Sequence, residues 1–166
     1  MIDAMEFLAC AVFIGIGGTV MMDLWAAVLR RVGIPSLNMA LLGRWVGHLL
    51  RGRWRHTSIA AATEVSHETA LGWAAHYTIG VTFAALLLWT QGLSWAQSPT
   101  VGPALLIGLV TVAAPLLILQ PGMGGGIAFR HTATPLFNTT KSVVTHTVFG
   151  MGMYLAAEAM AALRLW

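Results

Sequence analysis

Three ionisable side chains lie within long apolar stretches of this sequence: Asp23, His76 and His146. Ionisable residues in a membrane-spanning helix are costly and rare, and they often mark a binding site or an ion pathway. Two imidazoles can ligate a transition metal or haem, and a nearby carboxylate can act as a counter-ion or exchange protons. Gln120 ends another apolar stretch and can join them. The candidate ligand-binding residues are therefore Asp23, His76, Gln120 and His146, with His76 and His146 as candidate metal ligands.

The elements that must position these residues are four apolar segments. They cover about residues 5–29, 71–90, 103–120 and 142–163. Because about 20 helical residues cross the hydrocarbon core of a bilayer, each segment is predicted to be a spanning helix. The third segment is the shortest and contains Pro115, which removes one backbone hydrogen bond and should bend the helix.

Composition supports the same fold class. Of the 166 residues, 57% are hydrophobic and only 9% are charged, whereas about a quarter are charged in soluble domains. The single cysteine, Cys10, excludes an intramolecular disulfide and the usual zinc or redox pairs. We therefore predict an all-α membrane protein, a bundle of four transmembrane helices that forms a single domain over residues 1–166.

Orientation follows from the basic residues. Eight of the nine Lys and Arg residues lie between the first and second segments or between the third and fourth. The positive-inside rule puts both connections in the cytoplasm and both termini outside, in the periplasm if the membrane is a bacterial inner membrane. All four candidate residues then lie near the cytoplasmic ends of their helices at roughly one depth, so we expect them to line one cavity.

Glycines flank both histidines at helical spacing. Gly72, His76 and Gly80 lie four residues apart on one face, and Gly150 follows His146 by four. The small residues would leave room beside each imidazole for another helix or for a flat ligand. Glycine-rich faces also allow close helix packing, including packing within a possible homodimer.

A further helix is predicted in the first connection, over about residues 36–50. Apolar residues recur there at helical spacing, and Arg44 and His48 fall on another face. The pattern is typical of an amphipathic helix on the inner leaflet or packed against the bundle. Arg44 and His48 could cover the cavity mouth and are also candidate ligand-binding residues. The nearby arginines at positions 51, 53 and 55 indicate attraction to anionic lipids of the bilayer, and we expect no nucleic-acid partner.

A second group of possible metal ligands lies in the first connection: His48, His56, Glu64, His67 and Glu68. These side chains could hold a metal at the mouth of the bundle. The simpler interpretation, which we favour, is a solvated segment.

The sequence contains no complete catalytic motif. His67-Glu68 begins the pattern of a zinc metalloprotease helix, but Leu71 stands where the second histidine is required. The glycine-rich run at 122–126 lacks the lysine of a phosphate-binding loop. An enzyme is therefore the weakest interpretation.

Three other functions stay open. The favoured one is the handling of a small ligand, such as a transition metal or haem, in the Asp/His cavity. The second is a pathway for protons or a small solute. The third is a structural polar clamp that fixes helix packing in a scaffold or interaction protein and binds no ligand.

Several short motifs together resemble a known family. They include MDLW at 22–25, GIPSL at 33–37, LGRWVGH at 42–48, ALGWAAHY at 70–77 and QPGMG at 120–124. On these motifs the chain resembles a family of small bacterial inner-membrane proteins classed as a domain of unknown function, over nearly its whole length. The resemblance implies an integral membrane protein of four helices and brings no activity with it.

Overall fold

The protein is all-helical over residues 4–163, which are the residues described by its computed structural model. The helices are α1 (Ala4–Arg31), α2 (Met39–Leu49), α3 (Glu68–Gln91), α4 (Leu93–Gln97), α5 (Val101–Thr111), α6 (Gln120–Met123) and α7 (Pro135–Ala162). Short 3₁₀ turns occupy Ile59–Ala61 and Ile127–Phe129. Arg164, the basic residue outside the two connections, lies outside the described residues.

Within this range, three helices are long and apolar enough to cross a membrane: Ala4–Arg31, Glu68–Gln91 and Val101–Met123. They contain the first three predicted segments. The all-helical class is therefore confirmed, and three of the predicted spans have the length and hydropathy that a membrane-spanning helix needs. The fourth segment lies in α7, which has 28 residues. Helix α7 does not meet the same standard, because Lys141, His146 and Glu158 make it more polar.

Pro115 changes the third span without ending it. A π-helical stretch, Ala114–Leu119, joins α5 to α6, and the backbone N–H of Gln120 donates to the carbonyl of Pro115. Proline has no N–H to give to the α-helical ladder, and a wider turn absorbs the missing bond. The span therefore continues to Met123.

The chain forms two compact units, and each is described by itself. The first contains the N-terminal part up to Ile34, then Tyr77–Thr111, and the C-terminal part from Thr145. Its core is a cluster of apolar side chains from α1, α3, α4, α5 and α7. The fully buried members include Ile14, Leu87, Leu88, Phe149 and Met153.

Glycines set the helix crossings of this unit. A Cβ on Gly15 of α1 would lie 2.5 Å from the Cα of Val81 in α3. A Cβ on Gly108 of α5 would lie 2.5 Å from the carbonyl oxygen of His146 in α7. Real Cβ atoms do not come so close, so the backbones touch only because these positions are glycine. Such contacts are the usual way in which membrane helices associate.

The outward face of α1 is apolar. Ile16, Val20, Leu24 and Val28 follow one another at intervals of four residues, and all are exposed, with Leu24 58% exposed. Small and polar residues such as Thr19 are buried instead. Soluble proteins rarely expose an apolar stripe of this length. Lipid is the solvent in which this arrangement is favourable.

The second unit contains Pro35–His76 and Val112–Val144. Helix α2 lies against the start of α3, where Gly43 contacts the backbone of Glu68 and Gly72 contacts that of Met39. A small core is centred on Leu42, Trp45 and Ile59. This unit is held together by contacts from the first connection, which is therefore a folded element.

The predicted helix at 36–50 exists as Met39–Leu49. Arg44 and His48 are buried together with Leu42 and Trp45, so its buried residues are both polar and apolar. The solvated interpretation of the second histidine-rich group is wrong for His48 and His56, both of which are buried. It holds for Glu64 and His67, which are exposed.

We predict that Gly108→Ala lowers the thermal unfolding midpoint in detergent, because the added methyl forces α5 and α7 apart. Overpacking of this kind costs about 1–3 kcal/mol. Val110→Ile on the same helix is the control, since Val110 is 56% exposed and the added methylene meets lipid or detergent. Equal midpoints for the two variants would refute the proposed role of the glycine.

Candidate functional site

The carboxylate of Asp23 is bound by a phenol in the first unit. The Tyr77 hydroxyl, on α3, donates to Asp23 Oδ2 at 2.9 Å, and both side chains are half-buried. One turn earlier on α1, the buried Thr19 hydroxyl donates to the carbonyl of Gly15 at 2.7 Å. Thr19 also contacts Gly80 of α3. The glycine crossing thus fixes the distance at which Tyr77 reaches Asp23.

His146 has a different partner in the same unit. Its Nδ1 lies 3.3 Å from the hydroxyl oxygen of Thr111, and both residues are buried. The Thr111 hydroxyl donates its one proton to the carbonyl of Gly108 at 2.9 Å. The hydroxyl can therefore only accept from His146. In the neutral ring Nδ1 carries the hydrogen, and Nε2 carries a lone pair.

The other two intramembrane candidates belong to the second unit. His76 is half-buried, and its ring lies 6.0 Å from that of Trp73 in an edge-on arrangement. Gln120 is half-buried with its Oε1 beside Gly125. A single cavity lined by Asp23, His76, Gln120 and His146 therefore stays a prediction.

Protein atoms of neighbouring helices, from side chains or backbone, fill the room that the glycines were expected to leave beside the histidines. Gly80 contacts Thr19, Gly150 contacts the carbonyl of Ala104 on α5, and Gly72 contacts the carbonyl of Met39 on α2. Each of these glycines has a neighbouring helix beside it, which is one of the two occupants that the sequence suggested.

Tyr77, the hydrogen-bond partner of Asp23, is the residue that the sequence reasoning missed. It directly follows His76, and attention to ionisable groups left its hydroxyl out. Tyr77 also borders an open, mainly apolar groove of about 390 Å³, whose wall includes Phe7, Ala11 and Val81. A count of every hydrogen-bonding side chain in the predicted spans would have found it.

Arg44 is the most densely bonded side chain of the second unit. Its Nε and Nη2 bind both carboxylate oxygens of Glu68 at 2.8 Å, and Nη2 also binds Glu64 at 3.3 Å. Nη1 donates to the carbonyls of Ala60 and Ala62, each at 3.1 Å. The hydrogen bonds to Glu68 raise the pKa of Arg44. All five guanidinium N–H groups have partners, and the side chain ties the 60–64 segment to α2 and α3.

The described range, residues 4–163, contains no group of three or more His, Cys, Asp or Glu side chains that could hold a metal ion. The five residues of the first connection are therefore not gathered into a site with three or more metal ligands. His48 binds the carbonyl of Thr63 at 2.9 Å, and Glu68 binds Arg44. Metal binding by His76 and His146 stays a prediction.

A family model described as "Protein of unknown function (DUF2938)" matches residues 12–160. The chain belongs to this family. The resemblance drawn from the sequence motifs is therefore confirmed as membership of an uncharacterised family, DUF2938. Comparison with curated proteins and with solved structures gives no match. The family brings no activity, so a function for this DUF2938 protein must come from its residues.

We predict that Glu68→Gln destabilises the protein much more than Glu64→Gln. The Glu68 side chain is 16% exposed and binds Arg44 in a bidentate manner, whereas that of Glu64 is 83% exposed. Exposed ion pairs contribute little, whereas the loss of a partner leaves a shielded arginine uncompensated. Unfolding midpoints in detergent test this. A larger loss in Glu64→Gln would contradict the described network.

Proposed function

We propose that this DUF2938 protein is an integral membrane protein that spans the bilayer four times, with α7 as the fourth span. Helix α7 has 28 residues, about 42 Å at 1.5 Å per residue, which exceeds the hydrocarbon thickness of about 30 Å. Its apolar Met151 and Leu155 are exposed, as is expected of a surface that faces lipid. The membrane is proposed to be a bacterial inner membrane, with the basic connections in the cytoplasm.

The number of spans decides the side on which the C-terminus lies. Four spans put both termini on one side, whereas three put them on opposite sides. We expect a C-terminal alkaline phosphatase fusion to be active and a C-terminal green fluorescent protein fusion to be dark. A fluorescent protein inserted at the exposed Gly52 should fluoresce, because that connection is cytoplasmic. A fluorescent C-terminal fusion would remove α7 as a span.

We further propose that Asp23 binds a proton within the membrane and serves a pathway for protons or a small solute. The observation that carries this proposal is the hydrogen bond between Tyr77 and Asp23. Eight residues, about 12 Å of helix, separate Asp23 from Arg31 at the end of α1. The carboxylate therefore lies well inside the span, where it accepts a hydrogen bond from the phenol of Tyr77.

Energetics favour a function for Asp23 over a structural clamp. An ionised aspartate at the centre of a spanning helix costs about 2.5–3.5 kcal/mol on insertion scales. A hydrogen bond between membrane helices contributes about 0.6 kcal/mol on average and at most about 1.7. Asparagine would keep an acceptor for Tyr77 without the cost of a charge, so the presence of the acid favours a role in which the carboxylate binds a proton.

The other interpretations have weaker support. Transition-metal or haem binding by His76 and His146 would be revealed by metal analysis or by a Soret band that both histidine substitutions remove. We also propose that the exposed Arg51, Arg53 and Arg55 attract anionic lipids of the cytoplasmic leaflet. We also propose that the chain forms a homodimer through its glycine-rich helix faces.

We predict that Asp23→Asn abolishes proton flux in proteoliposomes driven by a potassium gradient and valinomycin. Tyr77→Phe should reduce the flux, because the carboxylate loses its donor. The thermal midpoint of Asp23→Asn should be unchanged or higher, because a costly charge is removed from the span. Because asparagine keeps an acceptor for the Tyr77 hydroxyl, this variant separates the loss of the charge from the loss of the hydrogen bond.

The control is a second tyrosine–carboxylate pair on the same protein. Tyr154 and Glu158 lie four residues apart on α7, where their side chains can pair, far along the chain from Asp23. Glu158→Gln should leave the flux intact. Flux that survives Asp23→Asn, or a wild-type protein that supports none, would overturn the proton pathway.

A further inference from the structure

Two buried histidines meet in the second unit, outside the intramembrane set. His48 lies on α2 and His56 lies in the segment after it, and each is only 7% exposed. Their ring centroids are 4.9 Å apart, and the ring planes are nearly perpendicular, at 86°. We propose that His48 and His56 form a two-imidazole site for one exchangeable transition-metal ion of the Zn²⁺ or Cu⁺ class. The site is independent of the proposed proton pathway.

The hydrogen bonds decide which nitrogen of each ring is available. His48 Nε2 lies 2.9 Å from the carbonyl oxygen of Thr63, and His56 Nδ1 lies 3.2 Å from that of Gly122. A carbonyl only accepts, so these two nitrogens carry the hydrogens. In the neutral rings, Nδ1 of His48 and Nε2 of His56 carry lone pairs.

The lone pair of His56 has no partner. Its Nε2 is buried and makes no hydrogen bond among the described residues. A buried polar atom without a hydrogen-bond partner is unfavourable. Where a native protein contains one, a bound water, a bound ion or a functional role usually accounts for it. The atom is also the one that would ligate a metal, which makes an ion the economical explanation.

The surroundings of both rings resemble those of metal-binding histidines. A ligating histidine nearly always donates its other ring N–H to a backbone carbonyl, a carboxylate or water, which fixes the orientation of the ring. Both His48 and His56 do so through a backbone carbonyl. Two imidazoles that share one tetrahedral ion at the usual metal–nitrogen distance have ring centroids about 5 Å apart. The observed separation satisfies that requirement.

The site is held rigidly by the motif around Gly122. The Gly122 carbonyl also accepts the backbone N–H of His56 at 2.9 Å. Gly122 packs against the indole of Trp45, and the indole N–H donates to the carbonyl of Trp54 at 2.9 Å. Gly124, at φ +103°, packs against the carbonyl of Thr57. The rings are therefore positioned before any ion arrives.

Two nitrogens leave coordination positions open. Structural zinc sites are closed by four protein ligands, whereas open positions accept water or an exchanging ligand. Imidazole suits Zn²⁺ and copper. The site is thus suited to bind an ion reversibly and pass it on, as in metal sensing or transfer.

The test uses two substitutions that keep the existing hydrogen bonds. His56→Asn retains a donor near the Nδ1 position and removes Nε2, and His48→Gln retains a donor near the Nε2 position and removes Nδ1. Tag-free full-length protein in detergent, stripped with a chelator, is titrated with Zn²⁺, and with Cu⁺ under reducing conditions. We expect one ion per chain and a rise of the thermal midpoint on binding.

Each of the two variants should lose this binding and the rise in midpoint while remaining folded. His67→Asn, at an exposed position, is the control and should bind like the wild type. Absence of binding by the wild type would overturn the proposal. Binding that survives in both variants, or that is lost only on replacing His76 and His146, would also overturn it and assign the ion elsewhere. X-ray absorption of the loaded protein should show two imidazole ligands.

Discussion

Hydrocarbon offers a polar group no hydrogen-bond partner, and the structure of this protein is arranged around that constraint. Every polar side chain carried into a span must find its partner within the protein. Thr19, Thr111 and His146 do so at short range, through hydroxyls and carbonyls of neighbouring turns or helices. Asp23 does so across helices, through Tyr77.

The glycine crossings make these partnerships possible. Polar side chains of ordinary length reach one another only if the helix backbones approach closely. Gly15 and Gly80 bring α1 to α3, and Gly108 and Gly150 bring α5 to α7. Each crossing lies within a turn or two of a polar pair. Helix packing and the pairing of polar side chains therefore depend on each other, and a substitution that disturbs one should disturb the other.

Much of the fold was accessible from the sequence, because the relevant signals are local. Length and hydropathy predicted the three helices that are long and apolar enough to cross a membrane, and helical periodicity predicted the helix Met39–Leu49. The burial of side chains in the first connection could not be predicted from the sequence. It depends on Arg44 meeting Glu68 and on His56 meeting Gly122, contacts between residues 24 and 66 positions apart.

The residues of the candidate site were likewise predictable only in part from the sequence. The costly residues Asp23 and His146 could be found from their type and their apolar surroundings. Their partners Tyr77 and Thr111 could not be assigned, since many hydroxyls occur in the spans and only the packing selects among them. The sequence predicted that the glycines beside the histidines leave space for a neighbour. Their spacing does not show whether that neighbour is a helix or a ligand.

The central claim is that Asp23 and Tyr77 interact directly inside the membrane. A double-mutant cycle with Asp23→Ala, Tyr77→Phe and the double variant measures this interaction through the free energy of unfolding in detergent or bicelles. We predict a coupling energy of about 0.6 kcal/mol or more, with an upper value near 2. Strictly additive effects of the two substitutions would contradict the interaction and, with it, the proposed site.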